Sequence, residues 1–445
     1  MNENAKLKRT PVHVVYGGAD RFSSDTPNKF GRIALASIET YLHDFVEFAR
    51  LFKLKGSEGL PNWPGAVTEI ASAARAEPEK LRWENFPAWF AWSVHRKTIE
   101  KLEQEPVEDF RIDFEDGYGY RSNEEEDAHA ISASTELASL FDTGNITPFS
   151  GFRIKALGRE THERAVRTLE HFLGNFLEQT SGRVPNNFVV TLPKVTDRGN
   201  VKELCDRLTA IENDKGLSKG TIGVELMFEA PSAIIGPDGR IAVRDLVGAA
   251  DDRCDSVHFG AYDYMAALGI SASYQDIRHP ACNFARQVMQ TSLAGMHVRL
   301  VDSVTTIIPV PLHKGESLSE NQRAENKEAV HAAWLLHFQN VTASMADGFY
   351  QSWDLHPNQL VARYAAVYAF FLNEFDSQAA RLRGYMDKAT KATLTGNTFD
   401  DAASVAGLVN FFERGLACGA FDEEDVSLAI GAKMDEVRRS FRLPH

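Results

Sequence analysis

The chain has 445 residues, of which 43% are hydrophobic and 25% are charged, a composition typical of a globular protein with a large core. Its formal net charge of -14 provides no basic footprint for nucleic acid or for an anionic membrane surface, and we exclude both as partners. The four cysteines are far apart and form no Cys-x-x-Cys pair, which argues against a zinc site or a disulfide framework.

The first residues of the chain are polar and contain no apolar segment of the kind found in a signal peptide. No run of about 18 apolar residues, the length that a membrane-spanning helix needs, occurs in the sequence. We therefore expect a cytoplasmic protein.

The chain begins with a predicted βα unit. Residues 12–16 form an apolar, strand-like run that ends in two glycines, and residues 33–52 show the spacing of an amphipathic helix. The segment from about residue 53 to residue 105 contains four prolines and is longer than a crossover between parallel strands requires. We expect a helical insertion there.

Short apolar runs recur along the rest of the chain and alternate with segments of helical spacing. Together with the first run they give eight predicted strands, at residues 12–16, 110–114, 151–154, 188–192, 222–227, 256–259, 298–301 (or 305–308 in its place) and 353–355. Eight strands alternating with helices favour an α/β fold with a closed (βα)8 TIM barrel over an open doubly wound sheet. No Gly-x-Gly-x-x-Gly follows the first strand, which argues against a dinucleotide-binding fold.

Beyond residue 375 the pattern is helical throughout. We therefore divide the chain into a barrel domain over residues 1–375, which contains the insertion, and a C-terminal helical region over residues 376–445.

Acidic residues follow two neighbouring predicted strands. Glu229 follows the fifth strand and Asp263 follows the sixth. Because the carboxyl ends of the strands of a parallel barrel meet at one open mouth, the two carboxylates can share a small hard cation such as Mg²⁺. The alternative is that one of them caps a helix and the other pairs with a lysine.

Three further strand-end residues have both a chemical and a structural interpretation. Arg153 ends the third strand, where its guanidinium either holds a carboxylate or enolate oxygen or pairs with Asp113. Lys194 follows the fourth strand and is a Schiff-base nucleophile, a charge anchor or a simple ion-pair partner. His356 follows the eighth strand and either orients a substrate or begins a helix with Pro357 in its first turn.

Six short motifs follow one another between about residues 110 and 360. They are Asp113-Phe114-Glu115-Asp116, Phe152-Arg153-Ile154, Leu192-Pro193-Lys194-Val195, Met227-Phe228-Glu229-Ala230, Phe259-Gly260-Ala261-Tyr262-Asp263, and Gly348-Phe349 with His356-Pro357-Asn358-Gln359. In this order they resemble the citrate lyase β-subunit-like family, which belongs to the HpcH/HpaI aldolase superfamily together with the malyl-CoA lyases.

The resemblance implies a Mg²⁺-dependent (βα)8 lyase that makes or breaks a carbon–carbon bond next to a carbonyl group through an enolate. By their positions in the motifs, Glu229 and Asp263 would ligate Mg²⁺, and Arg153 would contact oxygen atoms of the substrate. Glu115 and Asp116 would hold metal-bound waters. Under the same resemblance Lys194 is an electrostatic anchor and not a Schiff base.

We also assign substrate contacts to Asp113, Gly260 and His356. The expected substrate is a small carboxylic acid, either a 2-oxo or hydroxy acid or its CoA thioester, and the expected assembly is a homo-oligomer, a trimer or hexamer. The loops that border the substrate depart from the family pattern: residues 115–118 read Glu-Asp-Gly-Tyr in place of Glu-Asp-Ala-Val, and residues 229–231 read Glu-Ala-Pro in place of Glu-Thr-Ala.

Two other functions stay open at this point. The barrel could bind a metabolite without catalysis, because a fold does not fix a function. It could also transfer a phosphoryl group to or from an enolpyruvate, although no Walker-type glycine-rich loop is present.

Overall fold

Eight parallel strands form a closed barrel. The structure, a computed structural model, describes residues 9–387, 393–395, 398–400 and 402–441. The strands pair in chain order from the first to the eighth, and the eighth pairs with the first. They are β1 (His13–Gly18), β2 (Asp109–Asp113), β3 (Phe149–Arg153), β4 (Phe188–Leu192), β5 (Gly223–Phe228), β6 (Cys254–Phe259), β7 (Arg299–Val304) and β8 (Gln351–Asp354). The predicted (βα)8 barrel is confirmed, with the seventh strand at the first of its two predicted positions.

Helices surround the barrel. Those before β2 are α1 (Thr26–Tyr41), α2 (Phe45–Leu51), α3 (Pro64–Ala76), α4 (Pro78–Glu84) and α5 (Phe86–Gln104). Between the later strands lie α6 (Asn123–Asp142), α7 (His162–Gln179), α8 (Arg198–Asp214), α9 (Pro231–Ile234), α10 (Val243–Gly248), α11 (Ala261–Ala267), α12 (Pro280–Leu293) and α13 (Glu320–Ala346). After β8 come α14 (Gln359–Asp387), α15 (Ala402–Ala417), α16 (Glu423–Ile430) and α17 (Met434–Phe441).

The predicted helix over residues 33–52 is wrong in its bounds, because this part of the chain forms two helices. The first ends before Leu42, which is extended. Asp44 then accepts hydrogen bonds from the backbone N–H groups of Val46 and Glu47 at 2.8 Å each and so caps α2. The apolar spacing continues across the break because both helices bury apolar side chains.

The insertion over residues 53–105 is helical, as predicted, and contains α3, α4 and α5. The expectation of a wholly helical C-terminal region is wrong, because β9 (Thr393–Thr395) and β10 (Thr398–Asp400) pair as an antiparallel hairpin. The expected boundary between residues 375 and 376 lies inside α14, and the division into domains stays a prediction. The four cysteines are buried and free. Within the described ranges, no helix is long and apolar enough to cross a membrane.

The interior of the barrel is organised around the buried carboxylate of Glu225 on β5, which has no exposed surface. Groups from four other strands reach its two oxygen atoms. They are Arg111 (2.9 and 3.2 Å), Thr191 (2.7 Å), Ser256 (2.6 Å), the hydroxyl of Tyr16 (3.0 Å) and Nε2 of His258 (2.7 Å). Branched apolar side chains dominate the interior of most barrels of this kind. Here one anion holds β1, β2, β4, β5 and β6 together.

We expect the Glu225→Gln variant to unfold more easily than the wild type. Burial raises the pKa of Glu225, but the charges and hydrogen bonds of Arg111 and His258 lower it to well below that of an ordinary glutamate. Because the folded-state pKa is the lower one, this stabilisation is complete above the unfolded-state pKa and decreases as the pH falls towards the folded-state pKa. Breaking a buried charge pair costs about 3–5 kcal/mol of unfolding free energy, measurable by urea titration at neutral pH.

The matched control is Glu178→Gln, at an exposed position on α7. Its unfolding free energy should change by no more than about 0.5 kcal/mol. If the Glu225→Gln variant were as stable as this control, the carboxylate would not hold the barrel together.

Candidate active site

Eight of the candidate residues lie together at the carboxyl ends of the strands. Contacts within this group join Asp113, Glu115, Asp116, Arg153, Lys194, Glu229, Gly260 and Asp263. They come from the last residues of β2 and β3, from the loops after β2, β4, β5 and β6, and from the first turn of α11, as expected for the mouth of a parallel barrel.

Arg153 and Asp113 form a bidentate ion pair at the ends of two neighbouring strands. Nε and Nη2 of Arg153 donate to the two carboxylate oxygens at 2.6 Å each. Asp113 also accepts hydrogen bonds from the backbone N–H groups of Glu115 (3.0 Å) and Gly117 (2.8 Å). A carboxylate has about four lone-pair positions, so these four donors occupy Asp113 fully. It orients Arg153 and the loop after β2, and a substrate contact at Asp113 stays a prediction.

The guanidinium of Arg153 also lies against two aromatic rings inside the barrel. Its Cζ is 4.8 Å from the ring centre of Tyr16 and 5.4 Å from that of Trp353, and these two rings are 4.3 Å apart. The contacts are of the cation–π type and fix the plane of the guanidinium. Neither Tyr16 nor Trp353 was selected as a candidate residue from the sequence. The feature of the sequence that could have identified them is an aromatic residue inside the first and the last strand of the barrel.

Lys194 links the loops that follow β2 and β5. Its backbone N–H donates to Oε1 of Glu229 at 2.6 Å, while its Nζ contacts Glu115 and lies 3.3 Å from Oδ1 of Asp116. Desolvation lowers the pKa of Lys194, but the hydrogen bond to Glu115 and the nearby carboxylates raise it above that of an ordinary lysine. A protonated amine is not a nucleophile, and these contacts favour the charge anchor over the Schiff base.

Glu229 and Asp263 lie side by side. Glu229 is only 6% exposed, Asp263 is in the first turn of α11, and their side chains are in hydrogen-bond contact. Burial and then Asp263 raise the pKa of Glu229 to about 8, whereas Arg153 and the N–H of Lys194 act in the opposite direction. Two carboxyl groups this close cannot both ionise readily unless a cation neutralises them.

Gly260, directly after β6, allows this close approach. A Cβ atom at this position would lie 2.3 Å from Cβ and 2.9 Å from Oε2 of Glu229. Gly260 therefore determines where the carboxylate of Glu229 can lie, and its predicted substrate contact is untested.

His356 contacts its own loop. Its Nδ1 accepts a hydrogen bond from the backbone N–H of Asn358 at 3.1 Å, and burial lowers the pKa of the imidazole. Gln359, where α14 begins, accepts hydrogen bonds from the N–H groups of Leu355 (2.7 Å) and His356 (3.3 Å). These contacts match the structural interpretation, the start of a helix, and the role of His356 in substrate binding stays a prediction.

A cavity of about 560 Å³ opens beside the group, and its lining includes Glu115, Asp116, Tyr120, Arg159 and Lys194. This volume lies within the range of about 300–1,000 Å³ that is usual for sites that bind small molecules.

The residues present fit Mg²⁺ better than a transition metal. Within the described part of the chain, no group of three or more His, Cys, Asp or Glu side chains is arranged to hold a metal. The site offers instead a pair of carboxylates, Glu229 and Asp263. Mg²⁺ is often bound through one or two carboxylates and keeps several waters, whereas zinc sites use three or four protein ligands, mostly Cys and His.

We expect Gly260→Ala to destabilise the protein, because the added methyl group overlaps Glu229. Overpacking of this kind costs about 1–3 kcal/mol of unfolding free energy, measurable by urea titration. Gly158→Ala is the matched control: Gly158 lines the neighbouring cavity, and a Cβ atom there would have no heavy atom within 4 Å. If Gly260→Ala were as stable as Gly158→Ala, the packing of Glu229 would not require a glycine at residue 260.

Comparisons with known proteins agree with the fold. Residues 4–443 match the family model described as a domain of unknown function, DUF6986, and no curated protein matches the chain. Among solved structures, a citrate lyase from Burkholderia xenovorans LB400 is similar, with 18% identity over 76% of this chain and 92% of that chain and a TM-score of 0.54. A malate synthase from Haloferax volcanii (16% identity, 73% and 80% covered, TM-score 0.42) and the CitE protein of Mycobacterium tuberculosis (17%, 72% and 94%, TM-score 0.45) are also similar.

Identities this low show the fold alone. The eight-stranded barrel of this chain resembles that of the solved citrate lyase. Because the family model covers nearly the whole sequence, the chain belongs to the DUF6986 family.

Proposed function

We propose that the chain is a Mg²⁺-dependent carbon–carbon lyase that acts through an enolate on a 2-oxo or hydroxy acid or on its CoA thioester. The observation that carries the proposal is the contact between Glu229 and Asp263, at the ends of consecutive strands and within the electrostatic reach of Arg153. We further propose a cytoplasmic homo-oligomer, a trimer or hexamer.

Glu229 and Asp263 are the residues that would hold the metal. Each can offer a hard carboxylate oxygen, and a divalent cation would remove the repulsion that now favours a proton on Glu229. When bound, Mg²⁺ would supply Lewis-acid stabilisation of negative charge on a carbonyl oxygen of the substrate.

Arg153 would stabilise the same developing charge. Its Nε and Nη2 are bound to Asp113. Its Nη1 lies 3.1 Å from Oε2 of Glu115 and 3.5 Å from Sδ of Met227, and would exchange the weak contact with sulfur for an oxygen atom of the substrate. Because Asp113 and the rings of Tyr16 and Trp353 already fix the guanidinium, it does not have to reorganise during the reaction, and such preorganised donors contribute most to catalysis.

Lys194 and the two carboxylates after β2 would order water next to the pair. The amine contacts Glu115 and lies 3.3 Å from Asp116, and its backbone N–H holds Glu229. Lys194 thus links the loop after β5, which supplies the proposed ligand Glu229, to the loop after β2, whose carboxylates would hold the metal-bound waters.

We prefer carbon–carbon bond chemistry to the other reactions of a Mg²⁺ site because of an analogy of fold. The solved structure named a citrate lyase shares the barrel, and six motifs of this chain are in the order found in the citrate lyase β-subunit-like family.

We expect Glu229→Gln and Asp263→Asn each to abolish Mg²⁺ binding in calorimetry while the protein stays folded. In the wild type, Mg²⁺ binding should become tighter as the pH rises towards about 8, because the ion displaces the proton from Glu229. Glu160→Gln, in the lining of the neighbouring cavity, is the control and should bind Mg²⁺ like the wild type. Unchanged Mg²⁺ affinity in both variants would contradict the proposed metal site.

Turnover should depend on Arg153. Candidate 2-hydroxy and 3-hydroxy acids, free or linked to CoA, would be incubated with the protein and Mg²⁺, and release of pyruvate, oxaloacetate, glyoxylate or acetyl-CoA would be measured. With a substrate that is cleaved, Arg153→Lys should reduce kcat about 10²-fold to 10³-fold, the usual loss when one preorganised donor is removed. Binding of these acids without product release would instead support a metabolite-binding barrel.

A further inference from the structure

A second cavity lies at the other end of the barrel. It has a volume of about 330 Å³ and is lined by the residues with which three strands begin, Phe149 on β3, Arg299 on β7 and Gln351 on β8, and by Arg414 on α15. Since all eight strands are parallel, their amino ends face away from the candidate active site.

The positive charge of Arg299 is poorly neutralised by the protein. Its Nη1 lies 3.3 Å from Oε1 of Gln351, and its ion pair with Oδ2 of Asp109 is long, at 4.0 Å. That carboxylate is already bound by Arg111 and by Nε2 of Gln351, the latter at 2.9 Å. The guanidinium instead covers the ring of Phe149, with Cζ 4.6 Å from the ring centre.

Arg414 has no ion pair among the residues that the structure describes. Its Nε lies 3.5 Å from the amide oxygen of Asn410, and its Cζ is 5.0 Å from the ring centre of Tyr350. Burial lowers the pKa of both Arg414 and Arg299, and the charge of Arg299 lowers that of Arg414 further. The two guanidinium groups are therefore partly desolvated and repel each other.

The other charged residues of the lining do not cancel this charge. Arg9 pairs with Glu105, with 2.9 Å between Nη1 and Oε1. Asp255 is the one acidic residue of the lining and acts on Arg299. Arg299 and Arg414 bring two positive charges to the lining and Asp255 brings one negative charge, so the lining keeps an excess of positive charge.

We propose that this cavity is a binding site for a small oxyanion, a metabolite that carries a phosphate or carboxylate group, held between Arg299 and Arg414. The forked donors of arginine match the oxygen atoms of phosphate and carboxylate in pairs. A partly buried charge that is poorly compensated is costly, and an anion that bound here would reduce this cost. The volume is that of a compact ligand.

Binding would be tested with the full chain in metal-free buffer at constant ionic strength. Sodium phosphate is titrated in one arm and sodium succinate in the other, with calorimetry as the readout, and the arm that shows binding identifies the preferred oxyanion. Arg299→Gln and Arg414→Gln should each weaken binding about tenfold or more, since each removes a charge-assisted pair of hydrogen bonds. Arg159→Gln, in the cavity at the opposite end of the barrel, is the matched control and should leave the affinity unchanged.

A thermal unfolding experiment separates a binding role from a structural one. Without the probe, Arg414→Gln should unfold at the temperature of the wild type or above it, because the variant lacks one unpaired charge. With the saturating probe, the wild type should become the more stable of the two. The proposal is overturned if neither probe binds at millimolar concentration, if both arginine variants bind as tightly as the wild type, or if Arg414→Gln is equally destabilised with and without the probe.

Discussion

The ion pair of Glu225 with Arg111 is the interaction on which the rest of this barrel depends. A carboxylate in a dry interior is stable only if a charge and several donors compensate for its lost hydration, and here strands β1, β2, β4 and β6 supply these groups. One of the donors is the hydroxyl of Tyr16, whose ring lies under Arg153 with 4.8 Å between ring centre and Cζ. The position of the guanidinium at the mouth is thus set from inside the barrel as well as by its pair with Asp113.

The same chain of contacts runs down to the amino ends of the strands. Arg111 binds Asp109, Gln351 donates to Asp109 at 2.9 Å, and Arg299 donates to Gln351 at 3.3 Å. The two ends of this line differ in charge. At the carboxyl ends of the strands carboxylates are in excess, and in the lining of the cavity at the amino ends arginines are, with Arg9, Arg299 and Arg414 against Asp255. This asymmetry is the physical reason why we expect a cation at one end and an oxyanion at the other.

Much of the fold and the neighbourhood of the candidate residues could be predicted from the sequence, because strands buried on both faces appear as short apolar runs and their carboxyl ends meet at one mouth. The break between α1 and α2 depends on one side chain, Asp44, and the spacing of apolar residues does not show it. The pair of Arg153 with Asp113 was one of the two interpretations drawn from the sequence. The contacts of Arg153 with Tyr16 and Trp353 and the role of Glu225 could not be predicted, since they depend on contacts between strands that are distant in sequence. A charged residue such as Glu225 inside an otherwise apolar strand does, however, indicate a buried polar network.

The charge balance at the mouth is a further argument for a divalent ion. Arg153 is paired with Asp113 and Glu115, and Lys194 with Glu115 and Asp116, so the positive charge of these two side chains compensates Glu229 and Asp263 only in part. Five carboxyl groups thus share two positive side chains. They are Asp113, Glu115, Asp116, Glu229 and Asp263. A proton on Glu229 relieves only part of this excess and is lost as the pH rises above about 8. A divalent cation neutralises twice as much of this negative charge and can do so at neutral pH. The pair of Glu229 and Asp263 therefore fits a Mg²⁺ site better than a purely structural pair of acids.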